Sequence, residues 1–139
     1  MRENLKVLVV HRHVSVANDI KKQFDRAGWL VHLAHSGLDG LLAARKERFG
    51  LILSVIDLPV ITGIEMMRAI RNFSFNVNTP ALFIDQSTHE ELNKILEKLN
   101  VTLHFSEPLD LSQVTKMFDV ERASYNSLRV ESIDDPSYN

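Results

Sequence analysis

The chain has 139 residues, 45% of them hydrophobic and 24% charged, which is typical of one globular domain and excludes disordered, collagen-like and low-complexity proteins. Sixteen Lys and Arg against eighteen Asp and Glu give a net charge of -2, so no nucleic-acid partner is expected, because proteins that hold phosphate backbones usually carry a positive surplus. The lack of cysteine excludes disulfides and thiol catalysis, and no apolar run reaches the roughly 20 residues that span a bilayer, so we expect a cytoplasmic protein without membrane contact.

The first part of the chain alternates strand-like and helix-like segments. In order, these are a strand at Leu5–Val10, a helix with apolar positions Val16, Ile20, Phe24 and Ala27, a strand at Leu30–Ala34, and a helix from Leu38 to Phe49. Gly28 should end the first helix, and Ser36 should cap the second. The strand-like runs are short and rich in β-branched residues, which indicates strands buried on both faces.

The alternation continues through the rest of the chain. In order, we expect a strand at Leu51–Ile56, a helix with Ile64, Met67 and Ile70, a strand at Pro80–Ile84, a helix with Leu92, Ile95, Leu96 and Leu99, a strand at Val101–Phe105, and a helix with Leu111, Val114, Met117 and Phe118. Thr62 and Glu65 form a capping box before the third helix, while Ser87, Thr88 and Asp110 are candidate caps of the last two. Strict alternation predicts an α/β fold with a parallel sheet covered by helices on both faces.

Functional groups of such open sheets gather where the strands end, at the carboxyl edge. The chain places four polar segments there: His11 to His13, Val55 to Pro59, Asp85 with Gln86, and Ser106 to Pro108. Polar residues also occur at strand ends simply because loops lie at the surface, and for any single residue that explanation is the more common one.

The order and spacing of several short markers resemble the receiver domain of bacterial response regulators, over about residues 5–120. The markers are KVLVV at Lys6–Val10, the AGWLVHLAHSG stretch that ends in Gly37, the LILSVIDLP run with Gly63 four residues later, Pro80, and Glu107 with Pro108. The resemblance implies a flavodoxin-like (βα)5 fold with strand order 2-1-3-4-5. It also implies a non-enzymatic protein of two-component, or phosphorelay, signal transduction, with a receiver-like domain at residues 1–123 and a tail or truncated linker at residues 124–139.

The resemblance also assigns the family's active-site roles to five positions, and each departs from the family pattern. The acidic pair that holds Mg²⁺ falls on His11 and Arg12, the phosphate-accepting aspartate on Val55, the switch hydroxyl on Asp85, and the lysine on Glu107. Neighbouring family positions are Pro59, Pro108 and the aromatic switch position, which is His104, while Asp57 is the nearest aspartate to the acceptor position. We therefore expect that Mg²⁺ binding is lost, that no other metal or cofactor is bound, and that the pocket is a degenerate pseudo-receiver pocket.

Two interpretations of the charged residues stay open at this point. Arg12 could form a salt bridge with Asp85 or Glu107 and clamp the strand ends, or the charges could be solvated and energetically minor. The leading hypothesis for function is phosphorylation-independent binding of an unidentified signalling partner, or homodimerisation through the fourth helix, fifth strand and fifth helix. The alternatives are an atypical phosphoacceptor that uses Asp57 or a histidine, and a metal or small-ligand sensor that uses His11 and His13.

Overall fold

The structure, a computed structural model, describes residues 5–84 and 90–104 of the chain. Its elements are β1 Lys6–Val10, α1 Val14–Arg26, β2 Leu30–Ala34, α2 Gly37–Lys46, β3 Leu51–Ser54, α3 Gly63–Phe73, β4 Ala81–Ile84, α4 Glu90–Leu99 and β5 Val101–His104. The predicted fifth helix, the caps at Ser87, Thr88 and Asp110, and the domain boundary at residue 123 lie outside the described residues.

The five described strands form one parallel sheet in the order β2-β1-β3-β4-β5, which confirms the predicted flavodoxin-like α/β fold. β3 and β4 are buried along their whole length, and β1 is buried from Val7 onward, because helices cover both faces of the sheet. Val10 pairs with Ala34 on one side and with Ser54 on the other, so β1, β2 and β3 end at the same edge. In the part of the chain described here, no helix is long and apolar enough to cross a membrane.

Both predicted caps of the second and third helices are confirmed. The Ser36 hydroxyl accepts a hydrogen bond from the backbone N–H of Asp39 at 3.0 Å. Thr62 and Glu65 form the complete capping box, in which each side chain accepts a hydrogen bond from the other residue's backbone N–H. These caps fix where α2 and α3 begin, next to the loops that follow β1 and β3.

Several predicted element bounds are wrong, including the starts of α2, at Gly37 instead of Leu38, and of β4, at Ala81 instead of Pro80. The second helix ends at Lys46 instead of Phe49, because Glu47 is extended and Phe49 turns into the core. The third strand ends at Ser54 instead of Ile56, since the described ladder with β4 stops at Ser54. The first strand begins at Lys6 instead of Leu5.

The buried face of α1 also differs from the predicted stripe. Its buried residues are Ala17, Ile20 and Phe24, whereas Val16 is exposed and Ala27 lies at the C-cap. A spacing of three and four residues brings Ala17, Ile20 and Phe24 to one face. Gly28 follows with a φ of +91°, the left-handed conformation that ends many helices.

A buried side chain, Asn76, ties the end of α2 to the segment before β4. Its Oδ1 accepts a hydrogen bond from the Phe49 N–H at 2.8 Å, and its Nδ2 donates to the carbonyls of Ala44 and Glu47 at 2.7 and 2.9 Å. The Thr79 hydroxyl lies 2.9 Å from the same Oδ1. The amide thereby satisfies backbone groups at the amino edge of the sheet, which is opposite the pocket edge.

Arg71, near the end of α3, holds the end of α4. Its Nε donates to the carbonyl of Leu99 at 2.9 Å, and Nη2 donates to the carbonyl of Asn100 at 3.0 Å. Nη1 reaches the carbonyls of Asn76 and Thr79 at 3.0 and 2.7 Å. One guanidinium thus connects α3, the segment before β4, and the turn between α4 and β5.

Candidate functional site

The pocket edge of the sheet is built by the residues that follow β1 and β3. Val10 and Ser54 end these two strands side by side. Val55 continues the contact, since its N–H donates to the carbonyl of Val10 at 3.2 Å. His11 and Arg12 therefore leave β1 next to Val55 and Asp57, as the resemblance implies for the family's metal and acceptor positions.

His11 is a buried histidine at the first of these positions. Its N–H continues the sheet ladder to the Ala34 carbonyl at 3.0 Å, and its Nδ1 accepts a hydrogen bond from the His13 N–H at 3.0 Å. The His11 carbonyl in turn lies 3.0 Å from Nδ1 of His35. Through these contacts, His11 connects the end of β1 to the backbone just before α1 and to the end of β2.

Arg12 forms an ion pair with Asp57, a pairing that the sequence interpretation did not include. Nη1 of Arg12 lies 3.0 Å from Oδ1 of Asp57. The pair is exposed, with 42% of the Arg12 side chain and 86% of the Asp57 side chain accessible to solvent. The proposed partners Asp85 and Glu107 lie outside the described residues. The signal that could have found the pair is the parallel register of β1 and β3, which sends residues two and three positions past the strands to one edge.

Val55, to which the resemblance assigns the acceptor position, has a half-buried apolar side chain packed against the core. Its carbonyl oxygen accepts a hydrogen bond from the Ser54 hydroxyl at 2.8 Å. A Cβ added at Gly63 would collide with this same carbonyl oxygen, so the start of α3 approaches Val55 as closely as a glycine allows. Val55 supplies no carboxylate and no side-chain metal ligand.

The loop between β3 and α3 carries Pro59, the neighbouring family position. The Pro59 carbonyl accepts hydrogen bonds from Gly37 at 3.2 Å and from Ile61 at 2.9 Å, which fastens the loop to the start of α2. Val60 has a φ of +74°, an unusual conformation for a β-branched residue, and its side chain is exposed. Two other positions that the resemblance singles out are His104 and Pro108. His104 is the register partner of Ile84 in the pairing of β4 with β5, and Pro108 lies outside the described residues.

The histidines at this edge do not gather into a metal site within the described residues. The rings of His11 and His13 are 5.6 Å apart between centroids, so both residues face the same region. No group of three or more His, Asp or Glu side chains in residues 5–84 and 90–104 lies close enough to hold a metal ion. His11 Nδ1 is already a hydrogen-bond acceptor, and Arg12 adds a positive charge beside it.

A second ion-pair cluster lies at the opposite edge of the sheet. Lys6 Nζ donates to Glu47 Oε1 at 2.5 Å, and His32 Nδ1 lies 3.6 Å from Oε2. The hydrogen bond from Lys6 lowers the pKa of the Glu47 carboxyl below its ordinary value of 4.5; partial burial opposes this, while the charges of Lys6 and His32 add to it.

Comparisons with known proteins agree with the fold. Residues 7–119 match the profile of the family described as the response regulator receiver domain. The chain is 26% identical, over 113 residues, to sporulation initiation phosphotransferase F of Bacillus subtilis (strain 168), a match that covers 80% of this chain and 88% of that protein. Among solved structures, chemotaxis protein CheY4 of Vibrio cholerae is similar, with 29% identity, a TM-score of 0.73 and coverage of 82% of this chain and 95% of that one.

A more distant solved structure supports the fold alone, and it contains a metal ion. The receiver domain of sensor histidine kinase PA1611 from Pseudomonas aeruginosa PAO1 is 17% identical, with a TM-score of 0.72 and coverage of 83% of this chain and 94% of that one. That receiver domain was solved with a magnesium ion coordinated in its active site cleft.

Proposed function

Because this chain belongs to the response regulator receiver family, whose members act in two-component signal transduction, we propose that it transmits its signal by binding a protein partner without accepting a phosphoryl group. The observation that carries the proposal is Val55, an apolar side chain at the position where the family places its acceptor carboxylate. Formation of an acyl phosphate requires a carboxylate oxygen that attacks phosphorus, and a valine side chain has no such atom.

The residues of the pocket do not fit Mg²⁺. This ion prefers oxygen ligands in octahedral geometry and is usually bound through one or two carboxylates. At the two positions that the resemblance assigns to the metal ligands, the chain has His11, whose Nδ1 accepts the His13 N–H, and the guanidinium of Arg12. The described carboxylate of Asp57, in the loop after β3, is paired with Arg12. We therefore assign no step to a metal in this pocket.

The alternative candidate is an atypical phosphoacceptor at Asp57. Its favourable feature is exposure, since 86% of its side chain is accessible and an outside phosphodonor could reach it. The relative from Bacillus subtilis is called a phosphotransferase, so phosphotransfer is a relevant activity among similar proteins. Against it, Oδ1 of Asp57 is held by Arg12, and the residue lies three positions beyond the end of β3 rather than one.

The partner surface that we propose is the family signalling face, formed by the fourth helix, fifth strand and fifth helix. Its described part on α4 carries exposed residues of both signs, Glu91, Lys94, Glu97 and Lys98, while Leu96 is buried. Mixed charges of this kind suit a reversible protein interface, including a homodimer. The signalling partner itself is unidentified, and the proposed role is non-enzymatic.

The deciding experiment exposes the full chain to acetyl phosphate with Mg²⁺ and measures its intact mass, and in parallel records NMR spectra with beryllofluoride and Mg²⁺. We expect no gain of a phosphoryl group and no Mg²⁺-dependent change in the spectra. A gain of mass that disappears in Asp57→Asn would overturn the proposal in favour of the Asp57 acceptor. A gain that persists in Asp57→Asn, yet is lost when a histidine such as His13 is changed to Gln, would favour the histidine acceptor instead.

A further inference from the structure

Three large apolar side chains stand exposed at the end of α3 and on the segment that follows it, far from the pocket edge. Phe73 is 71% accessible, Phe75 is 58% accessible and Val77 is 45% accessible. We call these three residues the 73–77 patch. The two phenyl groups alone expose on the order of 250 Å² of mostly apolar surface. With Val77 the patch reaches the lower part of the range of about 300–600 Å² that is usual for the largest apolar patch of a monomer, a patch that is often functional.

The patch is held in place by the residues between its members. The Ser74 hydroxyl donates to the Ile70 carbonyl at 2.8 Å and accepts the Asn76 N–H, also at 2.8 Å. The Asn76 amide is buried and bonds the end of α2, while Arg71 binds the carbonyls of Asn76 and Val77. Because alternate residues are anchored inward, the apolar residues between them are presented outward in a fixed conformation. A preorganised surface loses little conformational entropy on binding.

We propose that the 73–77 patch is a self-association surface, and that its occupant is the same patch on a second copy of this chain. Residues 72–79 include no charged side chain, although 24% of the chain is charged, and the guanidinium of the preceding Arg71 is engaged by backbone carbonyls of the same segment. In a twofold contact each residue near the axis meets its own counterpart, so charges there would repel each other, whereas phenyl rings and Asn amides are self-complementary. An uncharged patch offers little to a different protein that is recognised through complementary charge.

The size of the patch sets the strength of this association. Stable interfaces bury about 800 Å² per partner, and the patch supplies less than half of that as an apolar centre. The rest must come from the polar rim, which includes the exposed residues Asn72 and Asn78. The contact should therefore be weak and reversible, with dimers that appear only as the protein concentration rises. It lies at the amino edge of the sheet and is independent of the signalling face proposed above.

Sedimentation velocity on the full chain, over a roughly hundredfold range of concentration, tests the proposal. The wild-type chain should shift towards dimer as concentration rises, and Phe73→Ser/Phe75→Ser should raise the dissociation constant at least about tenfold. Leu30→Ser is the matched control, because Leu30 is an exposed apolar residue of β2 with 67% accessibility. A wild-type chain that stays monomeric, or a Leu30 variant that weakens the dimer as much, would overturn the inference.

A second set of variants keeps the apolar residues and tests the twofold arrangement. Asn78→Asp and Asn78→Lys should each weaken the homodimer, since both copies would then carry charge of the same sign at the rim of one small contact. An equal mixture of the two variants should associate more strongly than either variant alone. A mixture that associates no better than its components would contradict a contact of the patch with its own copy.

Discussion

Arg12 and Asp57 leave adjacent strands of the sheet and meet at its carboxyl edge, with Nη1 and Oδ1 3.0 Å apart. Both side chains are largely in water, and an exposed pair of this kind contributes little to stability because solvent screens the charges. The pair thus joins Arg12, at a position that the resemblance assigns to a metal ligand, to the loop that follows β3. The exposure of this pair favours the interpretation that the pocket charges are solvated and add little to the free energy of unfolding. A clamp formed by Arg12 with Asp85 or Glu107 stays a prediction.

A double-mutant cycle with Arg12→Ala and Asp57→Ala should give a coupling free energy of about 0.5 kcal/mol in urea unfolding. The coupling should shrink at an ionic strength of about 1 M, where the screening length is about 3 Å. The matched control is the exposed pair of Lys21 and Asp25 on α1, which is 2.7 Å long and should give a similar value. A coupling for Arg12 and Asp57 that clearly exceeds the control would show that the pair does clamp the strand ends.

The stability of the protein should depend on pH through Glu47. Its folded pKa lies below the ordinary value of 4.5, chiefly because Lys6 donates a hydrogen bond to it. The unfolded chain then binds more protons in this range, so the stabilisation is present above the unfolded pKa and is lost as pH falls through the folded one. Urea midpoints measured from pH 7 down to the acid limit should drop in this window. Glu47→Gln and Lys6→Met should each make that drop smaller, and an unchanged drop in either variant would contradict the assignment.

Asn76→Ala should destabilise the fold by about 3 kcal/mol, since it leaves several buried backbone groups without partners. The groups are the Phe49 N–H and the carbonyls of Ala44 and Glu47. Asn78→Ala is the matched control, because Asn78 is exposed on the same segment and should change the unfolding free energy by less than about 0.5 kcal/mol. Equal effects in urea unfolding would show that the buried amide has no special role.

Arg71→Lys should lower the unfolding free energy by about 1–2 kcal/mol although the charge is kept. A lysine ammonium cannot reach the Leu99 and Asn100 carbonyls together with those before β4, whereas the planar guanidinium does. Arg68→Lys, on an exposed position of the same helix, is the control and should be nearly neutral. Thermal unfolding compares the two variants, and a neutral Arg71→Lys would contradict the bridging role.

Most of the fold could be predicted from the sequence, because the signals are local. The strand at Leu30–Ala34 is confirmed at both bounds, and the Thr62 and Glu65 capping box is recognisable from residues three positions apart. The errors arose where tertiary packing decides, as at Phe49, whose apolar side chain was counted into a helix although it belongs to the core of the next segment.

The site was only partly predictable for a related reason. Spacing from Pro59 and Gly63 assigned the acceptor position to Val55, and that assignment stays a prediction. The structure shows that Val55 directly follows β3 and that its N–H bonds the Val10 carbonyl of β1. The partner of Arg12 depends on strand register, which no local pattern encodes, so Asp57 was considered only as an acceptor. The role of Asn76 is the extreme case, since its partners lie 27 to 32 residues away and the sequence around it looks like an ordinary polar loop.

The position of the Asn76 hydrogen bonds has a consequence for how such a chain can diverge. They secure the amino edge of the sheet, while His11, Arg12 and Val55 stand at the carboxyl edge. Substitutions at the pocket therefore leave the Asn76 hydrogen bonds intact. The exposed ion pair of Arg12 and Asp57 at the pocket contributes little to the free energy of unfolding. In evolutionary terms, the residues of the pocket could change while the architecture is inherited, because the two depend on opposite ends of the same strands.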